Sequence, residues 1–149
     1  MDEIYNARIL EFAGNLPRVG ILPDAHASAE KQSKLCGSKV RVHLKMEDDK
    51  ISDFSHEVKA CALGQASSSI MARNVVGAGA EEIRAAREAM LAMLKQGGEG
   101  PEGRFADMRF LKPVRDYRAR HASVMLTFEA TLAAIAEIEA RRQAVGAEA

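Results

Sequence analysis

The residues best equipped for chemistry are two cysteines, Cys36 and Cys61, the only ones among 149 residues. Cys36 stands in Leu35-Cys36-Gly37-Ser38. Cys61 opens Cys61-Ala62-Leu63-Gly64-Gln65-Ala66-Ser67-Ser68-Ser69-Ile70-Met71, which reads as the start of a helix. Taken singly, a cysteine is most often a buried, inert thiol. Taken together, two thiolates that meet can hold a metal ion or cluster, or react. A structural disulfide is the weaker reading for a protein of the reducing cytosol. The helix start after Cys61, with its free N–H groups and positive dipole end, favours a thiolate there.

The chemistry requires that the two sulfurs converge from 25 positions apart, and the intervening pattern supplies a means. From Ser38 the chain has period two: Val40, Val42, Leu44 and Met46 alternate with Lys39, Arg41, His43 and Lys45. Glu47-Asp48-Asp49-Lys50 makes a polar turn. A second run follows, with Phe54, His56, Val58 and Ala60 alternating against Asp53, Ser55, Glu57 and Lys59. Two such strands joined by so short a loop pair as an antiparallel hairpin. A hairpin brings its open ends together, so the residues flanking it share one end of the sheet.

The remaining elements are helical. Residues 2–14 carry Ile4, Ile9, Leu10 and Phe12 at amphipathic spacing with a stop at Gly14, and 14–23 form a Pro/Gly connector. Residues 25–34 are small and polar and fit either an edge strand or an ordered loop. A small-residue helix is expected over 63–76, a second from Ala80 to about Gln96, and a last from about Arg120 to about Val145. Between them, Gly97–Arg104 reads as a mobile glycine-rich hinge, and Phe105–Met108 as one turn. The expected fold is a single α+β domain over residues 1–149: a small antiparallel sheet of about three strands with helices packed on one face.

Composition narrows the function. Lysine plus arginine equals aspartate plus glutamate at 21 each, giving a formal charge of zero. No global field therefore draws nucleic acid or an anionic membrane. Tryptophan is absent and aromatics are few, so stacking platforms for single strands are lacking. No uninterrupted apolar run is long enough to span a bilayer, and the acidic N-terminus lacks a signal-peptide core. A cytoplasmic protein is expected. Of the histidines, His56 falls on the apolar strand face and reads as a core residue, while His26 and His43 read as solvent-facing. His121 could be a ligand or an ordinary helix-start residue. Met90, Met93 and Met125 read as core filler. Ser67-Ser68-Ser69 fits close helix–sheet packing of small residues, since no nucleophile elbow surrounds it. Arg115, Arg118 and Arg120 make a local basic cluster.

At Cys36-Gly37, the hairpin, and Cys61 with its Ala66-Ser67-Ser68-Ser69-Ile70-Met71 tail, the sequence resembles the IscU/SufU/NifU N-terminal family of iron–sulfur cluster assembly scaffolds. That family shows Cys-Gly-Asp before the first strand, and Gly-Cys-Ala/Gly followed by Ala-Ser-Ser-Ser-hydrophobic-Met. Ser38 stands at the aspartate. The family's third cysteine, in a pattern like Arg-x-Lys-Cys-x-x-Leu, falls on Ser123 in a gapless match, or on His121 if the match slides by two. Leu111-Lys112-Pro113-Val114-Arg115 resembles, more faintly, the Leu-Pro-Pro-Val-Lys chaperone-recognition segment of IscU proteins.

The resemblance implies a non-enzymatic scaffold or carrier of iron or a [2Fe–2S] cluster. Cys36 and Cys61 would be the thiolate ligands and His121 a third donor, with Ser38 and Ser123 lining the site. It implies a cysteine desulfurase and apo iron–sulfur acceptor proteins as partners, and through the 111–115 segment a chaperone. Two thiolates and an imidazole also suit zinc, so a zinc-dependent sulfur acceptor is the alternative, and a metal-free interaction domain the third. Oligomeric state is left open.

Overall fold

The computed structural model describes residues 6–35 and 37–148, with side chains as far as Val145. α1 (Ala7–Gly14) begins at Asn6, whose Oδ1 accepts from the Ile9 N–H at 3.0 Å, a side-chain N-cap. The part of the expected first helix over residues 2–5 lies outside the described residues. β1 (Ala27–Gln32), β2 (Lys39–Glu47) and β3 (Lys50–Lys59) form an antiparallel sheet in the order β1-β2-β3. Residues 25–34, whose composition fits either a strand or a loop, thus contain the edge strand β1.

The hairpin forms as the alternation predicts, with Val40 opposite Val58, Val42 opposite His56 and Leu44 opposite Phe54. Asp48 and Asp49 turn the chain with φ of 53° and 61°. Two left-handed residues in a two-residue loop match the twist of the paired strands, and aspartate tolerates that region better than most side chains. Lys39 pairs with Lys59, which puts Ser38 and Cys61 at the same open end.

Helices α2 (Ala62–Asn74), α3 (Ala80–Lys95) and α4 (His121–Glu148) complete the core, with a kinked 3-10 segment over Gly103–Asp116 and a 3-10 turn at Arg118–Arg120 leading into α4. By length and hydropathy α4 could cross a membrane, yet 67% of the qualifying window is buried inside this fold. Its Val124, Phe128 and Ile135 are fully enclosed, as are Val40, Val42 and Leu44 from β2 and Leu63, Ile70 and Met71 from α2. α4 is the core helix of a helix-on-sheet domain. Met90, Met93 and Met125 are buried in the same core.

Two details differ from expectation. The Gly97–Arg104 stretch is tied down: Lys112 Nζ sits 3.1 Å from Glu99, Arg109 Nε donates to the Pro101 carbonyl at 2.8 Å, and Pro101 is buried. The serine run of α2 serves helix-on-helix contact. Ser67 Oγ donates to the Val124 carbonyl of α4 at 2.6 Å, and Ser69 Oγ to the Asn15 carbonyl behind α1 at 3.3 Å.

Candidate functional site

Cys61 is the N-cap residue of α2, in extended conformation with ψ of 171°. Its carbonyl accepts the Gln65 N–H at 2.9 Å, and Gln65 Nε2 donates to the Ala60 carbonyl at 2.9 Å, so the backbone around the thiol is fixed on both sides. The thiol is half-buried and free, and its Sγ lies 3.3 Å from Ser123 Oγ. Ser123, 1% exposed, stands in the first turn of α4. Its hydroxyl also lies 3.5 Å from Ser38 Oγ, just before β2. One thiol and two hydroxyls from three elements therefore meet at the open end of the hairpin.

Gly64 makes this approach possible. A Cβ placed there would lie 2.6 Å from Ser123 Oγ and 2.8 Å from Ala60 Cβ, closer than side chains tolerate. Glycine inside a helix costs about 1 kcal/mol relative to alanine, so its presence asks for a packing reason. Contact between α2 and α4 at Ser123 is that reason, and the glycine three residues after Cys61 was the available signal.

Cys36 lies outside the described residues. Its neighbours are fixed by local hydrogen bonds: the Ser33 N–H donates to the Ser38 carbonyl at 2.8 Å and the Gly37 N–H to the Ser33 carbonyl at 2.9 Å. Gly37 has φ of 72°, the left-handed region in which glycine carries no side-chain penalty. Leu35 is 79% exposed.

His121 is turned elsewhere. Its Nε2 sits 3.1 Å from the Val114 carbonyl and 3.0 Å from the Arg115 carbonyl, so that nitrogen carries the proton and is committed to backbone. Side chains two positions apart leave a helix about 200° apart. With Ser123 facing Cys61, His121 faces the other way, and the expected third donor is not brought to the thiol. Ser123 occupies the place that the gapless match assigns to the third family cysteine. Among the described residues no group of three or more His, Cys, Asp or Glu side chains is placed to hold a metal ion.

The other histidines are hydrogen-bonded within the fold. His56 is fully buried, Nε2 donating to the Pro17 carbonyl at 2.8 Å, and desolvation holds its pKa below 6.5, against the opposing pull of that bond. His43, expected in solvent, is only 5% exposed. It ties the three strands together, with Nδ1 2.6 Å from Ser28 Oγ of β1 and Nε2 2.8 Å from Glu57 Oε1 of β3. Neighbouring strands supply the cover, which alternation within one strand does not reveal. His26 is exposed, as expected, with Nδ1 accepting the Met46 N–H at 3.0 Å. In the segment resembling a chaperone-recognition motif, Leu111 and Val114 are fully buried.

The profile of the family described as the NifU-like N terminal domain matches residues 4–144. The chain belongs to this family. It is 28% identical over 135 residues to the iron-sulfur cluster assembly scaffold protein IscU of Thermotoga maritima, covering 91% of this chain and 94% of that protein. It is 24% identical over 140 residues to the zinc-dependent sulfurtransferase SufU of Bacillus subtilis, covering 93% and 94%. Among solved structures, the N-terminal part of a nitrogen-fixing NifU-like protein from Brucella abortus superposes with a TM-score of 0.91 at 64% identity, covering 93% of this chain and 96% of that one. The NifU-like fold, a three-stranded antiparallel sheet with helices, is thereby shared with relatives across nearly the whole length.

Proposed function

We propose that this chain is an iron–sulfur cluster assembly scaffold that carries iron or a [2Fe–2S] cluster as cargo on Cys61 and Cys36. The observation that carries the reading is the 3.3 Å approach of Cys61 Sγ to Ser123 Oγ, with Ser38 Oγ 3.5 Å from the same oxygen. The chain matches a relative named as a scaffold over nearly its whole length, and a thiol at the rim of this corner can exchange ligands with solvent and partners. Thiolates are the ligands that iron–sulfur clusters take. The hydroxyls of Ser123 and Ser38 are suited to donate hydrogen bonds to thiolate or cluster sulfur, which spreads charge without adding a strong ligand. Two strong ligands in place of a closed cage favour release, which is the task of a carrier. The His121 imidazole is assigned a structural part, holding the end of the Gly103–Asp116 segment.

In this reading a cysteine desulfurase supplies sulfur and apo iron–sulfur proteins receive the product, in the cytoplasm. Exposed Leu35, beside Cys36, offers such partners an apolar contact. A chaperone reading the 111–115 segment would have to draw Leu111 and Val114 out of the core. The scaffold role itself calls for no catalytic residue.

A second reading is favoured by the half-exposed Cys61 thiol, the single thiol among the described residues. The Cys61 thiolate attacks the terminal sulfur of a partner's persulfide. A new S–S bond forms on Cys61 as the partner's S–S bond breaks, and the partner leaves as a thiolate with the electron pair. A resident zinc ion is not built into this reading. Zinc takes a tetrahedral set of Cys and His; with Cys36 counted, two thiolates still fall short of it, and serine hydroxyls are poor substitutes.

Anaerobic reconstitution with ferrous iron and sulfide tests the proposal. The wild-type protein is expected to retain a sulfide-containing chromophore, and Cys61→Ala and Cys36→Ala each to lose it. Retention in both variants, or no retention by the wild type, overturns the scaffold reading. Persulfide on Cys61 after exposure to a desulfurase, without any iron uptake, supports the second reading instead.

A further inference from the structure

Behind the first turn of α4, on the side away from Ser123, a recess of about 380 Å³ is lined by Leu94, Lys95, Arg115, Asp116, Arg118 and His121. Three cations stand around it against one carboxylate. Several arginines elsewhere are engaged: Arg84 with Glu139, Arg87 with Glu129, Arg104 with Glu82 and Arg142 with Asp49. Lys95, Arg115 and Arg118 form no ion pair among the described residues. The nearby Glu99, whose carboxyl is held below its ordinary range first by Lys112 and to a lesser degree by Arg115, is already paired with Lys112 at 3.1 Å. Unpaired cations gathered at one concavity repel one another, and a bound anion relieves that repulsion.

We propose that this recess binds the phosphoryl group of a small phosphorylated molecule. The formal charge of the lysine, two arginines and one aspartate in the lining, three positive and one negative, complements a dianion. Two guanidinium groups present planar donor pairs that match phosphate oxygens, and the ammonium adds a point charge. His121 Nε2 is spent on the Val114 and Arg115 carbonyls. The Arg120 N–H is spent on the Tyr117 carbonyl at 2.8 Å. Binding therefore falls to the three cationic side chains and not to the helix end. A recess of about 380 Å³ holds more than one phosphate, which leaves room for the body of the ligand against Leu94 and the His121 ring. A folded acidic segment of a protein would meet a surface, whereas a recess of this size suits a small molecule.

Isothermal titration of the full chain at constant ionic strength, with inorganic phosphate, diphosphate, ADP and sulfate, tests this independently of iron or sulfur chemistry. Diphosphate or ADP is expected to bind saturably at one site. The Arg115→Gln/Arg118→Gln variant should weaken that binding about tenfold or more, the loss expected for a charge-assisted contact. Arg41→Gln removes from the sheet an arginine without an ion-pair partner among the described residues and should leave it within about twofold. ADP binding well above diphosphate identifies a nucleotide as the source, and equal binding the phosphate chain alone. No saturation by any phosphate, an equal loss in Arg41→Gln, or binding of poly-glutamate in preference to diphosphate overturns the proposal.

Discussion

On one side of the first turn of α4, Ser123 is pressed against Cys61 and Gly64, and on the other His121 backs onto a recess ringed by Lys95, Arg115 and Arg118. The first side is made of small neutral groups brought close by the absence of a side chain at residue 64. The second is made of long charged side chains held apart around open space. Two residues of helix separate them, and their chemistry has nothing in common. Close packing can present a thiol with hydroxyl donors at fixed distances, which suits a soft, sulfur-bound cargo. Spread cations around a cavity can attract a hard oxyanion. The helix turn acts as a partition between the two.

The largest effect should come from closing the gap that builds the first side. Gly64→Val places carbon where Ser123 Oγ and Ala60 Cβ already stand at 2.6 and 2.8 Å, so α2 and α4 must separate. Overpacking of this kind costs about 1–3 kcal/mol, of which the better helix propensity of valine returns only a fraction. Chemical denaturation should show the loss, and iron retention should fall with it. A variant of unchanged stability would mean that the contact between α2 and α4 is looser than its geometry implies.

The second test breaks the comparison most directly. His121→Leu keeps an apolar body and removes the donor from the Arg115 carbonyl, while the Val114 carbonyl keeps the Tyr117 N–H at 2.9 Å. Leaving one carbonyl short of its partner should cost about 1–2 kcal/mol, read by denaturation. Iron and sulfide retention without denaturant should be unchanged. A folded His121→Leu protein that no longer holds iron would make the imidazole a ligand and erase the partition.

Much of the first side is legible in the sequence. The alternation of Val40, Val42, Leu44 and Met46 against basic residues fixes the hairpin, and the hairpin fixes the shared end at which Ser38 and Cys61 lie. Less legible was β1, whose Ala-Ser-Ala-Glu-Lys-Gln has no apolar alternation and becomes a strand by pairing with β2. The direction of His121 depends on the phase of α4 to within two residues and on carbonyls from a segment without a clear period. Local pattern cannot supply either. His43 looked exposed because a strand read alone has an outer face, whereas Ser28 and Glu57 reach it only once three strands stand side by side.

The smallest change in stability, and the sharpest reading of the first side, belongs to Ser123→Cys. The hydroxyl oxygen already sits 3.3 Å from Cys61 Sγ, so a thiol at residue 123 replaces one small side chain by another at the position matching the third family cysteine. The larger sulfur must fit beside Gly64, which has no side chain to yield, and the cost should stay below about 1 kcal/mol. Its effect on cargo should be disproportionate. On the proposed reading, a third thiolate turns a site that releases iron into one that grips it, and transfer to a chelator should slow markedly under anaerobic conditions. If serine is present to keep the site open, Ser123→Cys should load more fully and deliver more slowly to an apo acceptor. Faster delivery, or a chelation rate equal to that of the wild type, would mean that residue 123 does not face the cargo at all.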